Sequence, residues 1–405
     1  MDKPFPPLRL GYAVRNTPAA GFLFLIDRAV VPCLKRFSSQ PSPAPAKPTG
    51  ILAPERILIS NVGGGMGDVV MATSIIPVLK SAFPGVELGF LAGPAMMPAV
   101  HGHPDLFRLH HYDHFLRKPR KPANLLKIMG RTKRLIAELH ATAYDWAIEL
   151  FPGAQNSILF CYLAGIPTRA GYTTGAWGDL LTNPLKWTQR DRHITEYHKD
   201  LLRDLGIAEK HLSLCHETLP PVDPKKLPDI LSLACAHPRG MVLCHPGSSN
   251  KAKEWPAGHW AEVAKDLARQ GSAVVFTGAG SRQKHLIDKI LKLAGCGVSV
   301  CNMLEWEEFV TAVSVSRLVI SADSAAQHVA AAFDRHCVVV GTGINPGNWF
   351  PRHLNHRYLL HPTPCSPCFR PGMCRGRECL VLVQPEQVVA AVNDLLRLGQ
   401  QSGSV

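Results

Sequence analysis

The chain alternates short apolar runs with helix-length segments, and it does so in two series. The first series opens with Ile57-Leu58-Ile59-Ser60 and the second with Met241-Val242-Leu243-Cys244-His245. Strand-length runs that alternate with helices predict a parallel sheet covered by helices on both faces. A Pro-rich stretch, residues 220–238, separates the two series. We therefore predict two α/β units, which a chain of 405 residues is long enough to form.

Each predicted unit contains several strands and helices. Beyond the two opening strands, the pattern predicts strands at residues 86–91, 146–150, 273–277, 318–321 and 337–340. It predicts helices at residues 69–81, 125–140, 257–270, 282–294, 307–316 and 324–333. A last helix, residues 385–398, fits either unit.

Positive charge is concentrated in two segments. The formal net charge is +13, of which residues 1–50 carry +5 and residues 108–134 carry +8, so the rest of the chain is neutral. Basic segments on a neutral body favour an anionic surface or substrate, and we predict no nucleic-acid partner. For the second segment, a solvated face with cations at a helix end explains the same residues.

The N-terminal segment combines an apolar stretch with basic flanks. Residues 21–31 are mostly apolar and have Lys and Arg on both sides. No run reaches the roughly 18 apolar residues of a membrane-spanning helix. An amphipathic helix lying on an anionic leaflet fits this pattern, and so does a helix docked on the protein's own surface. Residues 38–50, rich in Pro, Ser and Ala, predict a flexible tether.

A glycine-rich loop follows the first strand. It reads Gly63-Gly64-Gly65-Met66-Gly67-Asp68. Its glycines let the backbone approach a ligand, and the helix that follows offers unpaired N–H groups. An Asp at such a helix start most often caps the helix. The spacing differs from the Gly-x-Gly-x-x-Gly of dinucleotide-binding enzymes, which disfavours a nicotinamide enzyme.

Two loops of the second series also follow strands. The loop after Met241–His245 contains two hydroxyls and a cation, Ser248, Ser249 and Lys253, which are groups that bind a diphosphate. Taken alone, Lys253 fits a surface residue equally well. The other loop reads Asp323-Ser324-Ala325-Ala326-Gln327-His328 and opens an Ala-rich helix. Because ligands bind outside the carboxyl ends of parallel strands, we expect the three loops to line one cleft.

Together, the three loops resemble glycosyltransferase family 9, the ADP-heptose heptosyltransferases of lipopolysaccharide core synthesis. The resemblance covers residues 56–398 and rests on Gly67-Asp68, on Ser248-Ser249 with Lys253-Glu254-Trp255-Pro256, and on Asp323 to His328. It implies an α/β fold of the GT-B type, in which two Rossmann-like domains with parallel sheets face each other across a cleft. It also implies inverting transfer without a catalytic metal or cofactor.

The resemblance assigns the segments of the chain. They are a leader and linker (1–50), an acceptor-binding domain (51–220), a nucleotide-sugar-binding domain (221–384), and a C-terminal helix and tail (385–405). Asp68 matches the general base that deprotonates the acceptor hydroxyl. The acceptor-binding residues beside it are Gly64, Gly65, Met66 and Gly67.

The remaining matches concern the donor. Ser248, Ser249 and Lys253 match ligands of the diphosphate, and Asp323 matches an acidic residue that faces the heptose. The same site includes the helix start under the phosphates, which consists of Ser324, Ala325 and Ala326. Gly278 and His328 are assigned to it as well. His328 fits a core role as well as ligand contact. Residues 278–283 lack the acidic residues of many members, so the nucleotide stays open.

The implied partners are ADP-heptose and an anionic glycolipid, phosphorylated lipid A with acidic Kdo sugars, and a protein acceptor in place of the lipid stays open. The basic segments and the leader then predict a cytoplasmic enzyme associated peripherally with the cytoplasmic face of the inner membrane. Two other interpretations stay open. One is a nucleotide-sugar 2-epimerase of the same fold, and the other is a non-catalytic sugar-nucleotide-binding protein.

Four cysteines lie close together near the C-terminus, in the order Cys365-x2-Cys368-x5-Cys374-x4-Cys379. Four thiolates suit a tetrahedral zinc or iron ion with a structural role. The second pair is spaced more widely than in a zinc ribbon, and free thiols or an oxidised pair are the alternatives. Disulfides are disfavoured in a reducing compartment.

Overall fold

The computed structural model describes residues 24–37, 53–114, 125–153, 155–187, 192–344, 346–350, 355–366, 368, 374 and 376–401. The chain divides into two compact units, Met1–Pro220 and Pro221–Val405. Each unit is built on one six-stranded sheet, and all the strand pairs in both sheets are parallel. The predicted α/β class is confirmed. The predicted tether at residues 38–50 lies outside the described residues.

Unit 1 has the strand order β3-β2-β1-β4-β5-β6. The strands are β1 (Arg56–Asn61), β2 (Glu87–Ala92), β3 (Leu106–His111), β4 (Trp146–Glu149), β5 (Thr168–Tyr172) and β6 (Asn183–Leu185). The α-helices are α1 (Val31–Phe37), α2 (Met66–Ala72), α3 (Ile75–Ala82), α4 (Leu125–Thr142), α5 (Ile158–Leu163), α6 (Ile194–Asp204) and α7 (Glu209–Leu212). The order reverses between β1 and β4, where doubly wound sheets bind ligands.

Unit 2 repeats this topology with the order β12-β11-β10-β7-β8-β9. Its strands are β7 (Met241–His245), β8 (Ala273–Phe276), β9 (Val298–Ser299), β10 (Leu318–Ala322), β11 (Cys337–Val340) and β12 (His356–Leu359). The α-helices are α8 (Asp229–Cys235), α9 (Ala257–Arg269), α10 (Gly280–Ala294), α11 (Trp306–Val315), α12 (Ala325–Ala332), α13 (Pro346–Trp349), α14 (Glu378–Val381) and α15 (Pro385–Gln401). The reversal lies between β7 and β10.

The strands are buried on both faces, as parallel sheets require. Ile57, Leu58 and Ile59 follow one another along β1 and are fully buried. The last helix packs in unit 2, because Val388, Val392 and Leu395 of α15 belong to the core of that unit. The sequence analysis did not assign this helix to either unit, and the structure assigns it to unit 2.

One predicted helix is wrong in detail. Residues 69–81 form parts of two helices, α2 and α3, which Thr73 and Ser74 separate. The Thr73 hydroxyl donates a hydrogen bond to the Val70 carbonyl at 2.6 Å. Such side-chain bonds compete with the helical backbone ladder and favour a break.

The N-terminal helical segment docks on unit 1. Val31 is buried and packs, with Leu34, against α5 and the turn at residues 176–181. The Asp27 carboxylate accepts a hydrogen bond from the Trp177 N–H at 2.7 Å. Of the two interpretations of this segment, docking on the protein's own surface is therefore what the structure contains. No helix in the described ranges is both long and apolar enough to cross a membrane.

Candidate active site

The glycine loop of unit 1 follows β1 at the reversal of the sheet. A Cβ atom on Gly64 would lie 2.2 Å from the Asn61 amide oxygen and 2.6 Å from the Asp68 Cβ. A Cβ atom on Gly63 would lie 2.2 Å from the Phe151 ring. Glycine is required at both positions because other parts of the unit approach the loop backbone too closely for a side chain.

Asp68 lies in the first turn of α2, where its carboxylate caps the helix. Its Oδ2 accepts a hydrogen bond from the Gly65 N–H at 2.6 Å, and the Asn61 side chain donates to the Asp68 carbonyl at 3.2 Å. The residue is half-buried. The capping role that the sequence indicated is therefore present. A carboxylate has two oxygens and several lone pairs, so capping leaves it the capacity to accept a further proton or hydrogen bond.

A buried carboxylate that the sequence analysis missed, Glu149, ends β4 beside this loop. Its Oε2 accepts from the Ser157 N–H and hydroxyl, both at 2.6 Å, and from the Ser60 hydroxyl at 3.0 Å. Its Oε1 accepts from the Phe151 N–H at 3.0 Å. Burial raises the pKa of Glu149 from 4.5 to about 7, and these hydrogen bonds oppose the rise. The available signal was an acidic residue that ends an otherwise apolar strand.

In unit 2, a lysine and an aspartate form an ion pair at the corresponding reversal of the sheet. The Lys253 ammonium lies 2.8 Å from Asp323 Oδ2, and the two side chains are 22% and 9% exposed. The Ser248 hydroxyl donates to the Asp323 carbonyl at 3.2 Å. The structure thus brings together three residues that the sequence analysis placed in two loops. Ser249, next to them, is exposed.

The helix that follows Asp323 begins as its sequence predicts. The Ser324 hydroxyl accepts from the Ala326 N–H at 3.4 Å and so caps α12. This bond uses one of the two N–H groups that were expected to face a phosphate. Gln327 donates to Asp323 Oδ1 at 3.3 Å. His328 is 4% exposed and lies 3.3 Å from the Gln327 amide nitrogen, which favours its core role.

The sequence analysis also missed contacts that Arg282 and Gln283 make with the loop that carries Ser248 and Lys253. The Arg282 guanidinium forms an ion pair with Glu254 and donates to the Ser248 carbonyl. Gln283 packs over two glycines, since a Cβ atom on Gly247 would lie 2.3 Å from its amide carbon and one on Gly278 would lie 2.8 Å from its amide oxygen. Residues 278–283, which lack acidic side chains, therefore brace the loop that carries Ser248 and Lys253.

Comparison with known proteins decides the family. Residues 132–375 match the sequence profile of glycosyltransferase family 9 (heptosyltransferase). The chain belongs to glycosyltransferase family 9. It is accordingly an enzyme, a glycosyltransferase, and its fold is GT-B.

Similar proteins include curated and solved members of this family. Lipopolysaccharide heptosyltransferase 2 of Salmonella typhimurium is 25% identical over 343 residues, which cover 82% of this glycosyltransferase and 96% of the relative. The glycosyl transferase family 9 structure from Veillonella parvula has a TM-score of 0.70 at 19% identity, covering 84% and 97% of the two chains. The iron-containing dodecameric glycosyltransferase TibC of enterotoxigenic Escherichia coli has a TM-score of 0.51 at 15% identity, covering 85% and 76%. The two structures show the shared fold.

The four cysteines near the C-terminus, Cys365, Cys368, Cys374 and Cys379, line a single pocket. The Gly343 N–H donates to Cys379 Sγ and the Arg377 N–H donates to Cys374 Sγ, both at 3.3 Å. None of these cysteines is in a disulfide. Among the described residues, no three Cys, His, Asp or Glu side chains lie close enough together to coordinate one metal ion. The loop thus gathers the thiols and orients N–H groups toward two of the sulfurs.

We expect Glu149→Gln to change how stability depends on pH. The folded state keeps the Glu149 proton up to a pKa of about 7, whereas 4.5 is the usual value. Wild-type stability therefore falls, through this residue, as pH rises from 4.5 to 7. The free energy of unfolding of the variant, measured relative to wild type, should therefore increase between pH 5 and pH 8. The increase should be at most about 3 kcal/mol, since one pKa unit corresponds to roughly 1.4 kcal/mol.

Urea unfolding of both proteins at the two pH values measures this gain. Glu262→Gln, an exposed glutamate of unit 2, serves as the control and should show no such gain. An equal stability difference between Glu149→Gln and wild type at both pH values would contradict the expectation.

Proposed function

We propose that this enzyme transfers a heptose from ADP-heptose to a saccharide of the lipopolysaccharide inner core. The observation that carries the proposal is the Lys253–Asp323 pair, 2.8 Å long, beside Ser248 at the reversal of the unit 2 sheet. The Salmonella relative is a lipopolysaccharide heptosyltransferase, which supports the choice of sugar and acceptor.

Lys253 is proposed to change partners when the donor binds. A diphosphate presents more negative charge than one carboxylate, and charge-assisted hydrogen bonds to it are strong. The Lys253 ammonium would then offset the charge that develops on the leaving ADP. Asp323, which holds the lysine beforehand, becomes available to accept a hydrogen bond from a sugar hydroxyl. In this proposal the positive charge comes from the protein, so catalysis needs no metal or cofactor.

Asp68 is proposed as the general base. The acceptor oxygen attacks the anomeric carbon, the bond from that carbon to the diphosphate breaks, and ADP leaves with the bonding electrons. The hydroxyl proton passes to the Asp68 carboxylate as the new bond forms. Attack opposite the leaving group inverts the anomeric centre. Gly63 and Gly64 admit no side chain because Phe151, Asn61 and Asp68 pack against them, and this packing holds the loop that carries the Asp68 carboxylate.

The acceptor is proposed to be an anionic glycolipid. The α4 helix of unit 1 exposes four cations on one segment, Lys127, Arg131, Lys133 and Arg134. Leu126 and Met129 of the same helix are 82% and 48% exposed. Cations next to exposed apolar side chains suit a molecule that has both acidic sugars and acyl chains.

Two substitutions should separate donor binding from chemistry. Asp68→Asn should lower transfer from ADP-heptose by about 10²- to 10⁴-fold, because general base catalysis contributes on that scale, while ADP still raises the melting temperature. Lys253→Met should weaken ADP binding roughly tenfold or more, because it removes a charge-assisted bond. The measurements are a transfer assay and melting curves with ADP, UDP and GDP.

Asp179→Asn, at an exposed position of unit 1, is the matched control and should keep full transfer. Full transfer by Asp68→Asn would refute the base assignment. A melting shift with UDP or GDP but none with ADP would refute the donor. Absence of transfer by the wild type with an ADP response retained would favour the binding-protein alternative.

We propose that the enzyme associates peripherally with the cytoplasmic face of the inner membrane. The docked N-terminal segment leaves Phe24, Leu25 and Val30 exposed, at 36%, 63% and 43%. Arg28, Lys35 and Arg36 are exposed on the same segment. Apolar side chains flanked by cations favour the surface of an anionic leaflet.

Leu25→Glu combined with Val30→Glu should abolish flotation with vesicles that contain phosphatidylglycerol. The two changes place negative charge on the exposed side and leave the docking contacts of Asp27 and Val31 in place. Leu233→Glu, at a side chain of unit 2 that is 74% exposed, controls for surface charge. Flotation of the double variant at the wild-type level would contradict membrane binding through this segment.

We further propose that Cys365, Cys368, Cys374 and Cys379 bind one structural zinc or iron ion. The four thiols line one pocket, and N–H groups donate to two of the sulfurs at 3.3 Å, a pattern that suits thiolate ligands. Binding requires the four sulfurs to close around the ion. TibC, which shares this fold, is named as an iron-containing glycosyltransferase.

Elemental analysis of the full chain, purified without a histidine tag, should find about one metal equivalent, as a closed four-thiolate site holds one ion. Cys368→Ser should lose it. Cys235→Ser, at a half-buried thiol outside the pocket, should retain it. Trace metal in the wild type would contradict the site and favour free thiols.

A further inference from the structure

The loop with the four cysteines, residues 365–379 (the cysteine loop), touches the loop that carries Ser248 and Lys253, residues 246–256 (the donor loop), through Arg377. We propose that Arg377 is a positioning residue through which the metal-bound cysteine loop holds the donor loop in place for the diphosphate. The inference rests on the proposed metal site and on the proposed donor site. Arg377 itself touches neither reacting group.

The backbone of Arg377 belongs to the cysteine loop. Its N–H donates to Cys374 Sγ at 3.3 Å. The residue has a positive φ of 55°, immediately before α14, which contains Cys379. A non-glycine residue in this region is uncommon, so the surrounding contacts must hold it there. A metal that fixed Cys374 would also fix the acceptor of this N–H.

The side chain of Arg377 reaches the donor loop. Its Nη1 donates to the Lys251 carbonyl at 3.3 Å and to the Glu254 carbonyl at 3.0 Å. These carbonyls lie on either side of Lys253. The Glu254 carboxylate forms an ion pair with the Arg282 guanidinium. Two guanidinium groups therefore restrain the turn from which the Lys253 ammonium extends to Asp323.

The cysteine loop has a second attachment, on the sheet itself. The Cys368 N–H donates to the Gly343 carbonyl at 2.9 Å, and the Gly343 N–H donates to Cys379 Sγ at 3.3 Å. Gly343 lies just beyond β11, which pairs with β10, the strand that leads to Asp323. A Cβ atom on Gly343 would lie 2.6 Å from the Ser366 hydroxyl. The cysteine loop thus connects the end of β11 to the donor loop.

This connection predicts a physical effect of the metal on donor binding. A loop that is ordered before the ligand arrives loses less conformational entropy on binding, and affinity rises. Loss of the metal would free Cys374, then Arg377, then the turn at residues 251–254. The effect is an ordering of the donor loop and requires no contact between the metal and the substrate.

The test compares Arg377→Met, Cys374→Ser and the double variant in the full chain. Arg377→Met should keep the metal, speed amide hydrogen exchange at residues 251–254, and raise the ADP dissociation constant about tenfold, as expected for loss of a charged hydrogen-bond donor. Cys374→Ser should lose the metal and give the same two changes. The double variant should be no weaker than the single ones, because both act through one contact. Arg335→Met, at an exposed position, is the control.

The outcomes separate this inference from those on which it rests. If amide hydrogen exchange at residues 251–254 is as slow in Arg377→Met as in wild type, the inference is overturned, even when the metal and ADP binding are both confirmed. Loss of the metal in Cys374→Ser without faster exchange overturns it as well. Failure of the wild type to bind ADP refutes the donor proposal, and exchange then decides the role of Arg377. A wild type without metal refutes the metal and with it this inference.

Discussion

In each unit, the fourth strand pairs with the first, and this pairing sets the position of the loops that carry Asp68, Ser248, Lys253 and Asp323. The β1–β4 pair aligns Ser60 with Glu149, and the β7–β10 pair aligns His245 with Ser321. Since both strands of a parallel pair end at the same edge, the loops that follow them must meet there. The glycine loop meets Phe151 and Gln155, which follow β4, and the Ser248 loop meets Asp323. The chemistry of both units therefore follows from the same topological constraint.

The two edges handle buried charge in different ways. Unit 1 stabilises a lone carboxylate, Glu149, with four hydrogen bonds from hydroxyls and N–H groups, and burial still raises its pKa to about 7. Unit 2 instead pairs opposite charges, Lys253 with Asp323 and Arg282 with Glu254. A pair of this kind costs desolvation energy and contributes little net stability. It does keep a cation in place for a ligand with a higher negative charge, which fits a donor site better than a purely structural one.

The sequence predicted elements well where burial alone selects the residues. The bounds of β7 and β11 agree with prediction because both are uninterrupted apolar runs between turn signals. It did not predict β5, in which Arg169 is buried and donates to the carbonyls of Ile166, Pro167 and Leu180. No local pattern reveals that such partners exist. The same holds for the site: motif order placed Asp68, Ser248, Lys253 and Asp323 in strand-end loops, whereas Glu149 and Arg282 act through partners that only the folded chain supplies.

The metal proposed for the cysteine loop would have a physical reason even in a unit with a complete core. The segment from Cys365 to Cys379 has exposed and half-buried cysteines and carries few of the apolar side chains that a core requires. A short loop cannot offset its ordering entropy by burial of that kind. Metal–thiolate bonds at the proposed site would supply that free energy within a few residues. Order is needed there because Arg377 must present its guanidinium to the carbonyls around Lys253, and a guanidinium on a disordered loop would restrain nothing.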